Sequence, residues 1–417
     1  MYLKIKIINI AKKYPFFRKI CRFLLFTFKR AQYIMYYLRY KVNDNLIFFE
    51  AYDGNSYSCS PKAIYEYMTA SKKYNNYTFV WAFKEPDMYK SKLTENTIIV
   101  KSNSKEYYKY LSMSKYWIIN FLLNISVIKK KKQVYVQCWH GTPLKKLRYD
   151  IEVNGAALND LKEIRKRNDL DVKRIDYFLS PSKYSSDKFI SAFNLKALNK
   201  ENIILEKGYP RNDYLYNFDK QDINKIKSSI GIDKEKKVIL YAPTFRDNQH
   251  TSGIGYTYNL GINFDELTVL ADNYIILFRT HYFITNLFDF NKYKGFVYDV
   301  SNYDDINELY LISDILITDY SSVFFDFANL KKPIIFYMYD LDEYKNHLRD
   351  FYIDIKLLPG KIVRNEQELL KEIKNVEISF YDKKYENFNK KFNYLEDGKA
   401  SERVVKVIFD EKDKENV

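Results

Sequence analysis

From Leu46 onward, short apolar runs alternate with polar segments of helical length, and this rhythm predicts an α/β chain. Candidate strands are Leu46–Glu50, Thr78–Ala82, Thr97–Val100, Tyr116–Asn120, Val134–Cys138, Ile175–Leu179 and Ile203–Leu205. A cluster of turn-forming residues, "GYPRNDYL" (Gly208–Leu215), then breaks the series. A polar helix over Gln221–Ser229 opens a second series: Val238–Tyr241, Tyr274–Phe278, Gly295–Tyr298, Ile315–Thr318 and Pro333–Tyr337. The segment from Glu366 is charged with a helical pattern. Two successive α/β series imply two parallel, helix-covered sheets, that is, two Rossmann-like domains facing a cleft. The boundaries follow as 1–42, 43–210, 211–380 and a helical tail, 381–417.

Residues 1–42 read differently. They contain no Asp or Glu, and eleven Lys and Arg residues are interleaved with Phe, Leu and Ile. The uncharged run Phe23–Phe28 is far short of the ~20 residues of a spanning helix, and no small-residue cleavage site follows it. The pattern suits a basic amphipathic helix in a membrane interface, with rings in the acyl boundary and Lys/Arg against anionic headgroups. The alternative is a helix packed on the main body with a solvated basic face.

Charge sharpens this picture and cysteine usage simplifies it. The net charge is +15, from 68 Lys+Arg against 53 Asp+Glu, which favours an anionic partner. No nucleic-acid motif accompanies the charge, so an anionic membrane surface and a phosphorylated substrate are preferred over nucleic acid. Cys21, Cys59 and Cys138 have no metal-ligand or disulfide spacing. The abundant Tyr (41) and Phe (30) match an AT-rich coding bias, so Tyr-Lys clusters are not read as sites.

In open α/β sheets ligands bind beyond the carboxyl ends of the strands, and the unusual polar residues fall there. After Val134–Cys138 comes Trp139-His140-Gly141-Thr142-Pro143, in "VYVQCWHGTPLKKL". Gly141 permits close backbone approach. Spacing leaves His140 either a general base in the cleft or a histidine bonded to a backbone carbonyl. After Val238–Tyr241 come Thr244, Arg246 and Asp247: a phosphate contact through Arg246, or a surface Arg246–Asp247 pair. After Tyr274–Phe278, Arg279 and His281 lie two apart on one side of an extended segment. They suit an anionic ligand; the competing reading is a buried arginine satisfying carbonyls. Strand Ile315–Thr318 runs into Asp319-Tyr320-Ser321-Ser322 and a helix over Val323–Asn329, whose free N–H groups and dipole favour a phosphate. Neither a dinucleotide fingerprint nor a P-loop is present. Asp340 and Asp342 read as a loop on the nucleotide side rather than a metal pair, and no metal or cofactor is implied. His250 and His347 fall outside the pattern.

Together "QCWHGTPLKKL", "SPSKYSSDKF", "GYPRNDYL", "YAPTFRDN", "FRTH" and "ITDYSSVFFDFANLKKPIIFY" resemble the CDP-glycerol glycerophosphotransferase family of teichoic-acid and capsule synthesis. Cys138 stands where Thr is expected. The resemblance implies a GT-B-like fold and a peripheral enzyme on the cytoplasmic membrane face. It implies transfer of glycerol phosphate from CDP-glycerol to a hydroxyl of an undecaprenyl-linked acceptor, with CMP leaving. His140 becomes the base. His281, Arg279, Ser321 and Ser322 stabilise developing charge, and Thr244 and Arg246 touch the donor. Asp319 and Asp326 orient neighbours or take donor hydroxyls, and Gly141 and Thr142 complete the substrate-binding set. Competing readings keep the fold with a CDP-ribitol or nucleotide-sugar donor, or make the chain a non-catalytic membrane scaffold.

Overall fold

The computed structural model describes residues 14–152, 161–244, 250–251, 255–256, 261–280, 289–341, 351–376 and 380–410. Two all-parallel sheets organise them. The first holds seven strands: β1 (Asn43–Glu50), β2 (Thr78–Phe83), β3 (Ile98–Lys101), β4 (Ser114–Ile119), β5 (Val134–Gln137), β6 (Tyr177–Ser180) and β7 (Ile204–Glu206), in the order β3-β2-β1-β4-β5-β6-β7. The second holds β8 (Lys237–Ala242), β11 (Tyr274–Phe278), β12 (Val297–Asp299), β13 (Ile315–Thr318), β14 (Ile334–Tyr337) and β15 (Lys361–Val363), in the order β12-β11-β8-β13-β14-β15. A two-stranded antiparallel pair, β9 (His250–Thr251) and β10 (Gly255–Tyr256), lies between β8 and β11 in the chain. Sequence patterning missed β15, a three-residue edge strand with too little apolar signal, and this pair of two-residue strands.

Burial on both faces explains why the strands read as continuous apolar runs. Leu46, Phe48, Trp117 and Ile119 enter one core, while Ile47, Phe49, Tyr116 and Ile118 enter the core on the opposite face. The second sheet repeats this with Val238, Leu240 and Leu316 against Ile239, Tyr241, Ile315 and Ile317. Each such large apolar side chain contributes roughly 1.5–3 kcal/mol on leaving water.

Each sheet reverses direction beside its first strand, so each has a switch point where crossovers leave to opposite sides and a crevice opens. In the first sheet it lies between β1 and β4, whose last residues, Glu50 and Ile119, are level partners. In the second it lies between β8 and β13, with Ala242 opposite Thr318. The segments after β1, β8 and β13 line the cleft.

The helices used below are α1 (Pro15–Arg39), α2 (Cys59–Ala70), α3 (Lys105–Met113), α4 (Leu161–Val172), α5 (Lys183–Ala192), α6 (Lys220–Ile230), α7 (Ile306–Ile312), α8 (Val323–Phe327), α9 (Glu366–Asn375), α10 (Lys383–Phe392) and α11 (Ala400–Val405). α6 shows how local chemistry sets helix ends. Asp219 and Asp222 form a reciprocal capping box, and Gly231 ends the helix at φ 74°, where a side chain would be strained.

Of the two readings of the basic N-terminal segment, packing on the main body is the one α1 displays. Tyr33 is fully buried and meets Tyr108 edge-to-face at 6.1 Å, so the helix docks on α3. Phe16, Phe23, Leu24, Leu25, Phe28, Met35 and Leu38 are exposed. Among the described residues, no helix is long and apolar enough to cross a membrane.

The C-terminal helices belong to both halves. Tyr385, Phe388 and Phe392 of α10 join the second sheet's core. Val404 and Val405 of α11, with Ile408 and Phe409, join the first, where Phe409 meets Tyr116 at 4.4 Å. Across the rim, Lys62 Nζ pairs with Asp305 (2.8 Å) and Glu308 (3.2 Å), and Lys92 Nζ with Asp304 (2.5 Å). The two sheets are thus joined by the returning chain on one side and by ion pairs on another.

Candidate active site

The cleft between the two switch points holds a cavity of about 590 Å³. Of the candidate residues, His140, Gly141, Thr142, Thr244, Arg279, Ser321, Ser322 and Asp326 line it. Asp319 sits just behind its wall. Arg246 and His281 lie outside the described residues, as do Asp342 and His347.

His140 is presented by a strained turn at the end of β5. Gln137 Oε1 accepts the Trp139 N–H at 2.9 Å, and Cys138 N donates to Ile119 O at 2.7 Å. Trp139 adopts φ 49°, a left-handed conformation costly for a bulky residue. Its indole packs among Phe178, Phe189 and Phe193, which holds the turn and projects the next residue into the cleft.

The imidazole stacks on Trp139 at 4.3 Å, and its Nδ1 lies 2.7 Å from the Asn120 carbonyl oxygen. A carbonyl oxygen only accepts, so Nδ1 carries the hydrogen and Nε2 is left with its lone pair. Of the two readings open from sequence, the bond to a backbone carbonyl is the one observed; such a bond fixes one tautomer of the ring and is compatible with a base at Nε2.

Burial is the main force lowering the His140 pKa, to about 4, with smaller contributions from the charges of Arg211 and Arg148 opposed by the Asn120 carbonyl. The ring is deep beneath the protein surface yet exposed to the open cleft. Water in that cleft softens the full desolvation effect. The direction stands: the imidazole is neutral at pH 7.

Gly141 brings the two halves into contact. A Cβ built at this position would stand 2.9 Å from Ser322 Oγ, across the cleft. Gly141→Ala is expected to lower turnover about tenfold by pushing the His140 turn away from Ser322, since small displacements of reacting groups cost this much or more. A structure of the variant with the His140 turn displaced from Ser322 checks the steric origin; an alanine variant with native rate contradicts it.

On the opposite wall, Asp319 organises the second switch point. It is 2% exposed, and its Oδ1 accepts the N–H groups of Thr244 (2.8 Å) and Tyr320 (2.5 Å). Of its two expected roles, orienting neighbours is the one these contacts carry. Ser321 and Ser322 follow, and the Ser322 side chain does not cap α8. α8 is five residues long, shorter than the helix predicted over Val323–Asn329, because residues Ala328–Leu330 tighten into a 3₁₀ turn. A helix this short sums little macrodipole. What its start offers an anion is local: backbone N–H groups and serine hydroxyls.

Arg279 Nη1 donates to the carbonyls of Val300 (3.0 Å) and Tyr303 (2.6 Å). It thereby braces the loop after β12, whose residues Ser301–Asp305 line the cavity, while remaining on the cavity wall itself. Asp326 has both oxygens engaged by Arg211 Nη2 at 2.9 Å, and Asn212 adds a bond of 3.1 Å. Its contacts again orient neighbours.

Sequence reasoning overlooked several lining residues: Arg211, the segment after β1 (Tyr52, Asn55, Ser56, Ser58, Cys59) and the 301–307 loop. Applying the strand-end rule to β1 and β12 as well would have found the latter two. "GYPRNDYL" was legible only as a chain break, although an arginine inside such a break is unusual. Among the described residues no three His, Cys, Asp or Glu side chains are grouped to hold a metal ion.

Two Rossmann-like halves that share one cleft define a GT-B-like protein. The same fold appears in the UDP-N-acetylglucosamine 2-epimerase of Neisseria meningitidis, at 13% identity and a TM-score of 0.51 over 87% of this chain and 99% of that one. The chain belongs to the CDP-glycerol:poly(glycerophosphate) glycerophosphotransferase family, whose model matches residues 31–410. It is similar to the teichoic acid poly(glycerol phosphate) polymerases of Staphylococcus epidermidis (42% identity, 88% of this chain, 51% of that one) and Bacillus spizizenii (40%, 88% and 92%). The chain thus spans about half the length of the first of these relatives and nearly all of the second. A structure of the wall teichoic acid polymerase TagF, soaked with CDPG, superposes with a TM-score of 0.84 at 38% identity, covering 96% of this chain and 98% of that one.

Proposed function

We propose that this chain transfers glycerol phosphate from CDP-glycerol to a hydroxyl of a lipid-linked acceptor, releasing CMP. The observation that carries the reading is His140, whose Nδ1 is held by the Asn120 carbonyl in a cleft that Ser321 and Ser322 also line, within a family defined by this donor.

In this reading the acceptor hydroxyl gives its proton to His140 Nε2 as its oxygen attacks the phosphorus attached to glycerol. A new P–O bond forms in line as the bond to the CMP phosphate breaks. Charge gathers on the phosphoryl oxygens and on departing CMP. Ser321, Ser322, the N–H groups at the start of α8 and Arg279 supply donors there, with His281 and Arg246 assigned to the same donor side. Thr244 contacts the donor, and Gly141 and Thr142 shape the acceptor side.

The exposed apolar side chains of α1, together with Lys19, Lys29 and Arg39, support docking on an anionic membrane surface, where an undecaprenyl-linked acceptor would reside. In this reading the enzyme is a peripheral protein at the cytoplasmic face. Sedimentation with phosphatidylglycerol vesicles should be lost in a Phe23→Glu/Leu24→Glu variant; unchanged sedimentation contradicts the docking.

The donor is tested by CMP release from purified protein with a lipid-linked acceptor. CDP-glycerol should turn over well ahead of CDP-ribitol, and UDP-sugars should give no transfer. Equal or better use of CDP-ribitol overturns the donor assignment.

A further inference from the structure

Two segments far apart in sequence, at Cys59 and at Tyr209, hold the backbone of the His140 turn, and Arg211 joins them to a third at Asp326. Its guanidinium lies over the Tyr209 ring, 4.3 Å from the centroid. Nη2 holds both oxygens of Asp326 at 2.9 Å. Nη1 reaches Cys59 Sγ at 3.8 Å, and that thiol reaches the Trp139 carbonyl at 3.9 Å. Tyr209 Oη donates to the Gly141 carbonyl at 3.2 Å. The carbonyls on both sides of His140 are therefore held from the domain junction and from the start of α2.

Such restraint answers a need. Trp139 and Cys59 have φ values of 49° and 64°, conformations that persist only where the surroundings impose them. Arg211 is buried, and its Nε has no hydrogen-bond partner among the described residues. A guanidinium kept there with only part of its donor capacity used does more than close a surface.

We propose that Arg211 is a positioning residue for the transfer reaction: through Tyr209, Cys59 and Asp326 it fixes the His140 turn against the Ser321-Ser322 wall. The inference rests on the reading of His140 as the base. Arg211 acts through His140 rather than on the reacting atoms, and its charge also disfavours a second proton on the imidazole. The groups around that ring are Tyr52 at 5.7 Å, Trp139, the Asn120 carbonyl, Arg148 from its own loop, Cys59 from α2, Arg211 from the junction with Asp326 behind it, and Ser322 from the facing wall.

The test measures kcat and kcat/KM for CMP release against pH, with CDP-glycerol binding, for Arg211→Gln, Arg211→Lys and Asp326→Asn. Arg211→Gln is expected to lower kcat about 100-fold, as for a misplaced catalytic group, while CDP-glycerol affinity changes little. Its acid limb should move to higher pH, because a cation near the imidazole is gone. Asp326→Asn should move the limb the other way, since Arg211 loses its counterion. Arg211→Lys keeps the charge, so the limb stays in place and part of the rate returns. Equal loss in both neutral variants with unmoved limbs identifies a purely structural clasp and overturns the proposal, as does native kcat in Arg211→Gln.

Wild-type protein that releases no CMP from CDP-glycerol contradicts the transfer reading instead. Titration of the His140 ring by NMR in the same variants needs no turnover, and opposite shifts there still support the positioning role. Absent shifts overturn it.

Discussion

Replacing His140 with alanine is expected to lower kcat/KM for CMP release about 1,000-fold, while CDP-glycerol still binds and the fold is retained. A positioned general base contributes roughly 10²–10⁴, and a thousand-fold loss corresponds to about 4 kcal/mol of transition-state stabilisation. Among the described residues the ring is hydrogen-bonded through Nδ1 to Asn120 O, and it projects into the cleft, so its removal gives up this bond and the stacking on Trp139 but leaves Trp139 held by Phe178, Phe189 and Phe193. The wild-type profile should carry the same signature. Burial lowers the imidazole pKa to about 4, so the base form is already complete at neutral pH. Activity should stay level well below the ordinary imidazole pKa of about 6.5 before the acid limb begins. A limb centred near pH 7 contradicts the desolvated, neutral imidazole. Near-native rates in His140→Ala remove it as the base.

The second large effect is expected at Asp319. Its carboxylate is the shared acceptor for the N–H groups of Thr244 and Tyr320, one from the end of β8 and one after β13. Asp319→Ala leaves both donors buried without this partner, a loss of about 2–4 kcal/mol. The switch point that presents Thr244, Ser321 and Ser322 then loosens. Urea unfolding should show a lower midpoint with an unchanged slope, and CDP-glycerol affinity should fall together with stability. Asp319→Asn retains a carbonyl oxygen and should recover most of the stability. Full stability in Asp319→Ala would falsify this assignment.

The parallel sheets were legible because strands buried on both faces carry unbroken apolar runs, as in "LIFF" of β1 and "ILIT" of β13. The strand-end rule reached His140, Thr244, Arg279, Ser321 and Ser322, since the topology of such sheets decides where ligands gather before any side-chain detail is known. What could not be read was tertiary. The contact between Gly141 and Ser322 joins residues 181 positions apart. The tautomer of His140 depends on the Asn120 carbonyl, which no sequence pattern marks. Asp326 looked free to meet a ligand because its partner, Arg211, lies 115 residues away in a segment that signalled only a turn. The length of α8 was overread, since a 3₁₀ turn and a helical turn share the same apolar spacing over Val323–Leu330.

The assembly of one site from both halves is tested most directly by the structure of the protein with CDP-glycerol and a hydroxyl acceptor analogue. The pyrophosphate should lie against Ser321 and Ser322, with His140 Nε2 within hydrogen-bond reach, about 3 Å, of the acceptor hydroxyl. A donor bound outside the cleft, or an acceptor hydroxyl out of reach of His140 with the cleft fully occupied, contradicts the account.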